Sequence, residues 1–301
     1  MRRLFVALVG SLMFLGSQPL RAQRGRPVIL LLHGRGLQDR DSVALHKQWL
    51  EALRSGLTTV TRAPSIDDSD VRVVWYADVL DPRSGDGCDY PATDPRARRD
   101  AKTDAQLKQL ISFAGGFINV ISMLADDSTA KEVRALSADA SFLGDVRKRC
   151  ASEARLGAAI DRAQKEGRPI ILVAHSLGAL VAYDYLSART DSGVVQELIT
   201  IGSMAGAPDL RRLVIGGDST DAFAVPASVK QWTNIRNEKD GLAVPLTIGR
   251  DIVTNPPPDE IDPHEMVGYL RGAMTAREVL TAWCASVPSN RPRGCNEVLP
   301  R

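Results

Sequence analysis

The residue best placed to do chemistry is Ser176, within Ala174-His175-Ser176-Leu177-Gly178. This is a small-x-Ser-x-Gly pattern, with alanine where the first glycine usually stands. The positions two before and two after the serine must be small so that a strand and a helix can approach each other around a strained turn. A serine hydroxyl is a weak nucleophile at neutral pH and needs a base within hydrogen-bond reach, itself oriented by an acid. The chain has only four histidines to supply that base. The plainer alternative is a Ser-Gly pair capping an ordinary βα turn, and the surrounding pattern decides between the two.

The elements needed to hold such a serine are legible on both sides of it. Pro169 to Ala174 is a short apolar run rich in β-branched residues, the mark of a strand buried on both faces of a parallel sheet. Leu177 to Leu186 then switches to helical spacing. Pro27 to Leu32 is a second two-sided apolar strand and runs straight into His33-Gly34-Arg35-Gly36.

The elbow at Ser176, together with His33-Gly34 after an earlier strand, resembles the α/β-hydrolase family, whose small bacterial lipases also carry Ala-His-Ser-x-Gly. The resemblance implies an α/β fold with a mostly parallel central sheet flanked by helices. It further implies an oxyanion hole made by the backbone N–H groups of Arg35 and Leu177, aimed at the charge that develops in a tetrahedral intermediate. His33 then fixes its loop rather than acting as base. The Arg35 side chain either offers a cation to an acidic substrate or is a solvated loop arginine. In this family the order is nucleophile, acid, histidine. Asp240, in the loop Arg236 to Gly241, is the expected acid, with Glu238 as runner-up. His264 is the one histidine that follows them, and is the expected base. Ser203 lacks an elbow and is not an alternative nucleophile.

The remaining chain supplies elements around this centre. Ser42 to Leu57 has helical spacing, Val71 to Leu80 reads as a strand ended by Asp81-Pro82, and Ala151 to Glu166 is an amphipathic helix. Val194 to Ile201 and Val229 to Ile235 read as further strands, and the last helix and tail run from Thr281 to Arg301. The stretch from Asp81 to Arg149, an insertion of about residues 81–150, is too long for a simple βα connection. Within it, Leu107, Leu110, Ile111, Ala114, Phe117, Ile118, Ile121 and Leu124 share one helical face, broken by Gly115-Gly116. By the same resemblance this is a cap over the site; a helix packed permanently on the core explains the apolar face equally well.

Met1 to Ala22 has Arg2 and Arg3, an apolar stretch from Leu4 to Gly16 and a small residue at the expected cut, as in a signal peptide preceding a hydrolase domain of residues 23–301. A retained N-terminal anchor is the alternative, although the apolar stretch is short for a spanning helix. Removing three arginines lowers Lys plus Arg from 38 to 35 against 36 acids, so the mature chain is near neutral and nothing suggests nucleic acid as partner. The composition is 44% hydrophobic and 25% charged, enough for a sizeable core. Cys88, Cys150, Cys284 and Cys295 have no metal-ligand spacing. In a secreted or periplasmic protein they read as two disulfides. Three pairings are open; Cys88 with Cys150 and Cys284 with Cys295 is favoured because each pair brackets one segment.

The expectation is therefore a serine esterase or lipase working through Ser176, Asp240 and His264 and an acyl-enzyme, with no metal or organic cofactor. Its partner is a small-molecule or lipid ester, with transient contact to a lipid surface allowed and the oligomeric state open. Amidase, thioesterase and acyltransferase chemistry use the same residues. A non-catalytic member that binds a lipid or a partner protein is the alternative from a different class.

Overall fold

The computed structural model describes residues 25–34, 36–37, 40–60, 63–80, 84–98, 142–215, 224–255, 257, 259–287, 292 and 294–299. Two sequence expectations, the leader Met1 to Ala22 and the apolar helix around Gly115-Gly116, lie outside these residues, as does Arg35.

Six strands form one sheet in which every pairing is parallel: β1 (Val28–Leu32), β2 (Val71–Val74), β3 (Ile170–His175), β4 (Val195–Ile201), β5 (Trp232–Arg236) and β6 (Arg250–Val253), in the order β2-β1-β3-β4-β5-β6. Parallel strands need crossovers, and helices supply them. These are α1 (Ser42–Leu57), α2 (Ala77–Leu80), α3 (Val146–Lys165), α4 (Leu177–Ser187), α5 (Pro208–Ile215), α6 (Met266–Arg271), α7 (Ala273–Ser286) and α8 (Cys295–Val298). The strand period of two sorts side chains into two cores. Val28, Leu30, Leu32, Ile170 and Leu172 pack with Leu156, Ile160 and Leu180 of α3 and α4. Ile29, Leu31, Ile171 and Val173 pack on the other face with Leu53 and Leu280 of α1 and α7. Helix starts are set locally: Asp41 accepts from the Val43 and Ala44 amides ahead of α1, and Asp145 does the same for Arg147 and Lys148 ahead of α3.

Two strand boundaries and one whole strand differ from the sequence reading, and the helix expected from Ala151 begins five residues earlier, at Val146. The expected strand Val71–Leu80 ends at Val74, because the Tyr76 amide donates to His33 Nε2 at 3.1 Å and its hydroxyl to the His33 carbonyl at 2.6 Å, taking the chain off the ladder and into α2. The expected strand Val229–Ile235 starts later, at Trp232, with Val229 making only an isolated bridge to Val195. Strand β6 was not expected. It is polar and half-exposed, held to β5 by the ladder and by Asp251, which accepts from Asn234 and Arg236 at 2.8 Å each.

Two clusters of ion pairs fasten the start of the sheet and the segment packed on α3 and α4. At the entry to β1, β2 and β3, buried Asp70 accepts from Arg26 and from Arg168, the latter at 2.8 Å. The Arg168 guanidinium also bonds the carbonyls of Arg26, Pro27 and Ser69. Breaking such a pair from one side costs about 3–5 kcal/mol. Residues 84–98 are strapped onto α3 and α4 by a second cluster: Arg96 pairs with Asp94 at 2.6 Å and with Glu153, Arg149 lies 3.4 Å from Asp184, and Tyr90 lies against both guanidinium groups. The disulfides are Cys88–Cys150, which anchors this strap, and Cys284–Cys295, which ties α8 to α7. Both follow the favoured pairing, and they fit an oxidising compartment outside the cytoplasm.

Candidate active site

In open parallel sheets a ligand crevice forms beyond the carboxyl ends of the strands where the strand order reverses. Here the order runs outward from β1 to β2 on one side and from β3 to β6 on the other, so the reversal lies between β1 and β3. His33-Gly34 follows β1 and Ser176 follows β3, on adjacent strands at that point.

Ser176 has φ 52° and ψ −124°, and it is the sole non-glycine residue with positive φ among the described residues. A conformation of this kind costs roughly 1–3 kcal/mol and persists only where the surroundings impose it. They do so through packing. A Cβ on Gly178 would lie 2.4 Å from the His33 carbonyl oxygen, so α4 can follow the turn only because that residue is glycine. Ala174 is fully buried, and its methyl is accommodated. The Ser176 amide donates to the Ile201 carbonyl at 3.1 Å, which closes the turn against β4.

Ser176 Oγ lies 3.0 Å from His264 Nε2, and His264 Nδ1 lies 2.9 Å from Asp240 Oδ2. Asp240 can only accept when ionised, so the imidazole proton sits on Nδ1 and Nε2 presents its lone pair to the serine hydroxyl. Glu238, the runner-up acid, is exposed on the same loop, while Asp240 is buried and makes the contact. Burial pushes the Asp240 carboxyl up, and donors from His264, the Leu242 amide and Tyr269 more than offset this, so it stays below the ordinary aspartate value.

Leu177 opens α4, where an amide has no partner within its own helix. Gly34 passes close over the elbow, since a Cβ there would meet Ser176 Cβ at 2.9 Å. His33 has a structural role: it stacks on Tyr76 at 4.1 Å, accepts the Tyr76 amide at Nε2 and donates from Nδ1 to the Gly34 carbonyl. Burial lowers its pKa to about 4 and keeps it neutral. Ser203 caps the turn Met204–Gly206 by accepting from the Ala205 amide and does not join the Ser176 chain.

Two residues in this network had no role in the sequence reading. His175 Nε2 donates to the His264 carbonyl at 2.8 Å, and Tyr269 donates to Asp240 Oδ2 at 2.8 Å while accepting from the Asn237 amide at 3.0 Å. The signal for His175 was its place beside Ser176, but a strand residue's partner cannot be read from its neighbours. Gly202, at the end of β4 with φ 54°, makes room where these side chains meet. A Cβ there would lie 2.9 Å from Tyr269, 3.0 Å from Asp240 Oδ2 and 3.2 Å from His175 Nε2. No group of three or more potential metal ligands occurs among the described residues.

No protein-family model matches the chain, and no curated protein sequence matches it.

Proposed function

We propose that the protein is a serine hydrolase of the α/β-hydrolase type that cleaves carboxylic esters, small or lipidic, through an acyl-enzyme. The observation that carries this reading is the continuous chain from Ser176 Oγ through His264 to Asp240, at 3.0 and 2.9 Å, on a strained turn at the sheet's reversal point. A hydroxyl aligned in this way is one that a base can activate.

In the proposed reaction, Ser176 Oγ attacks the carbonyl carbon as its proton passes to His264 Nε2. The oxyanion of the tetrahedral intermediate accepts from the Leu177 and Arg35 amides. Collapse breaks the bond to the leaving oxygen, which takes the proton from His264. Water then attacks the acyl-enzyme, giving one proton to His264, and the carboxylic acid departs as that proton returns to Ser176. Asp240 holds the imidazole in the Nδ1–H tautomer and balances its charge while it is protonated. The two disulfides favour export, the setting in which the leader expected at Met1–Ala22 would be removed.

The test is labelling of the purified protein with a serine-directed fluorophosphonate, beside folded Ser176→Ala and His264→Ala variants. The reading expects labelling of wild type that both variants lose, followed by turnover of p-nitrophenyl esters. Folded wild type that neither labels nor turns over any ester would overturn it.

A further inference from the structure

Asp240 Oδ2 accepts two hydrogen bonds, one from the base and one from a group that the reaction does not consume. The Tyr269 hydroxyl is 2.8 Å from the same oxygen that lies 2.9 Å from His264 Nδ1. The phenol is itself held: its oxygen accepts from the Asn237 amide at 3.0 Å, and its ring packs against Gly202. Tyr269 lies on α6, five residues beyond His264, so one short segment carries the base and the second donor to its acid. Burial and the nearby Asp240 charge push the phenol's pKa up, so it stays protonated and can only donate to the carboxylate.

We propose that Tyr269 is a positioning residue for the Asp240–His264 pair: its hydroxyl fixes the carboxylate's orientation and draws negative charge away from the oxygen facing the imidazole. The inference deepens the serine-hydrolase reading and rests on it for its meaning in catalysis. The chemistry fixes a sign. A carboxylate that shares its charge with a second donor stabilises a charged imidazolium less, so removing the Tyr269 hydroxyl should strengthen the pair's hold on the proton. Other groups around the pair leave that sign intact. His175, at the end of β3, is neutral. Arg236, at the end of β5, is paired with Asp251 at 2.8 Å. Asp262 accepts from the His264 amide, while Glu260 lies against Gly268, and Glu238, Lys239 and Glu265 are exposed; none of these depends on the Tyr269 hydroxyl.

The test compares wild type with Tyr269→Phe, which removes one oxygen. Two measurements are made: the NMR titration of the His264 imidazole, assigned with His264→Asn, and the pH dependence of fluorophosphonate labelling. In Tyr269→Phe both midpoints should move to higher pH by roughly half a unit to one unit, less than the one to three units a full neighbouring charge can supply. The plateau labelling rate should also fall, by about ten-fold, as the carboxylate loses its fixed orientation. A purely structural role would lower the melting temperature and leave the midpoints in place, which overturns the proposal. Incorporating a fluorinated, more acidic tyrosine at position 269 preserves the shape and should move the midpoint the opposite way, to lower pH. An unchanged midpoint there sinks the idea even where Tyr269→Phe folds badly. The NMR titration needs no turnover, so wild type that never labels refutes the hydrolase reading while the hydrogen-bond effect is still measured.

Discussion

His175 donates its Nε2–H to the main-chain carbonyl of His264 across 2.8 Å, so the residue before the candidate nucleophile holds the loop that carries the candidate base. The two rings lie 4.9 Å apart, yet they have different duties. Burial, with the adjacent His264 adding to it, lowers the His175 pKa to about 3, so it remains a fixed neutral donor at any ordinary pH.

Replacing that donor should therefore act through position rather than through charge. His175→Leu is expected to slow labelling of Ser176 by roughly ten- to a hundred-fold, the scale of a misplacement of about 1 Å. His175→Gln, which can keep an N–H near the same point, should recover most of the rate. In neither variant should the pH midpoint of labelling move, because His175, with its pKa lowered to about 3, is neutral already. Equal rates for the leucine and glutamine variants would show that the donor is unimportant.

Gly202 is a second point where backbone geometry and site chemistry coincide. Its φ of 54°, and three side chains within 3.2 Å of the point a Cβ would occupy, leave no room for alanine. Gly202→Ala is expected to lower stability by about 1–3 kcal/mol from backbone strain alone. It should depress labelling further, by pushing Asp240 or His175 out of line. Urea unfolding beside the labelling assay checks both, and a variant with wild-type stability and rate would contradict this packing.

How far the sequence foretold this arrangement follows from what kind of signal each part carries. β1 and β3 are two-sided apolar runs, and the elbow's small residues are a local steric requirement, so both could be read directly. The disulfide partners were also reachable, since each pair brackets one segment. β6 was missed because an edge strand with Arg250 and Asp251 has no apolar alternation to detect. The end of β2 was misjudged because it is set by Tyr76 bonding to His33, 43 residues away. Tyr269 and His175 act through contacts between distant segments, and no spacing rule announces those.

His33 is also buried and neutral, with its pKa lowered to about 4 by burial. For a histidine depressed in the folded state, stability is complete above the unfolded value near 6.5 and is lost as pH falls toward the folded value. Between about pH 6 and 4, each such histidine should remove up to ~1.4 kcal/mol per pH unit. His33→Gln removes one of the two contributions and should flatten the acid side of the stability curve, even if it is less stable at pH 7. Parallel curves for wild type and variant in chemical denaturation would rule this out.

The strap cluster should show the opposite pH dependence. One oxygen of Glu153 and both oxygens of Asp184 are buried without hydrogen-bond partners, and a proton shared between the two carboxyls pairs the Glu153 oxygen with one of those on Asp184. Burial and the Asp184 charge hold the Glu153 carboxyl well above its ordinary value, with Arg96 and Arg149 opposing. A carboxyl whose folded pKa is raised contributes stability that is complete below the unfolded value, near 4.3, and is lost as pH rises through the folded value. Glu153→Gln mimics the protonated form and cannot ionise. Its stability should match wild type below about pH 4 and exceed it by an amount that grows, at up to about 1.4 kcal/mol per pH unit, until the wild-type carboxyl has titrated. Urea unfolding at a series of pH values, with both disulfides kept oxidised, measures the difference. A gap that stays constant or narrows as pH rises would mean that Glu153 is already ionised in the folded protein and that the cluster holds no shared proton.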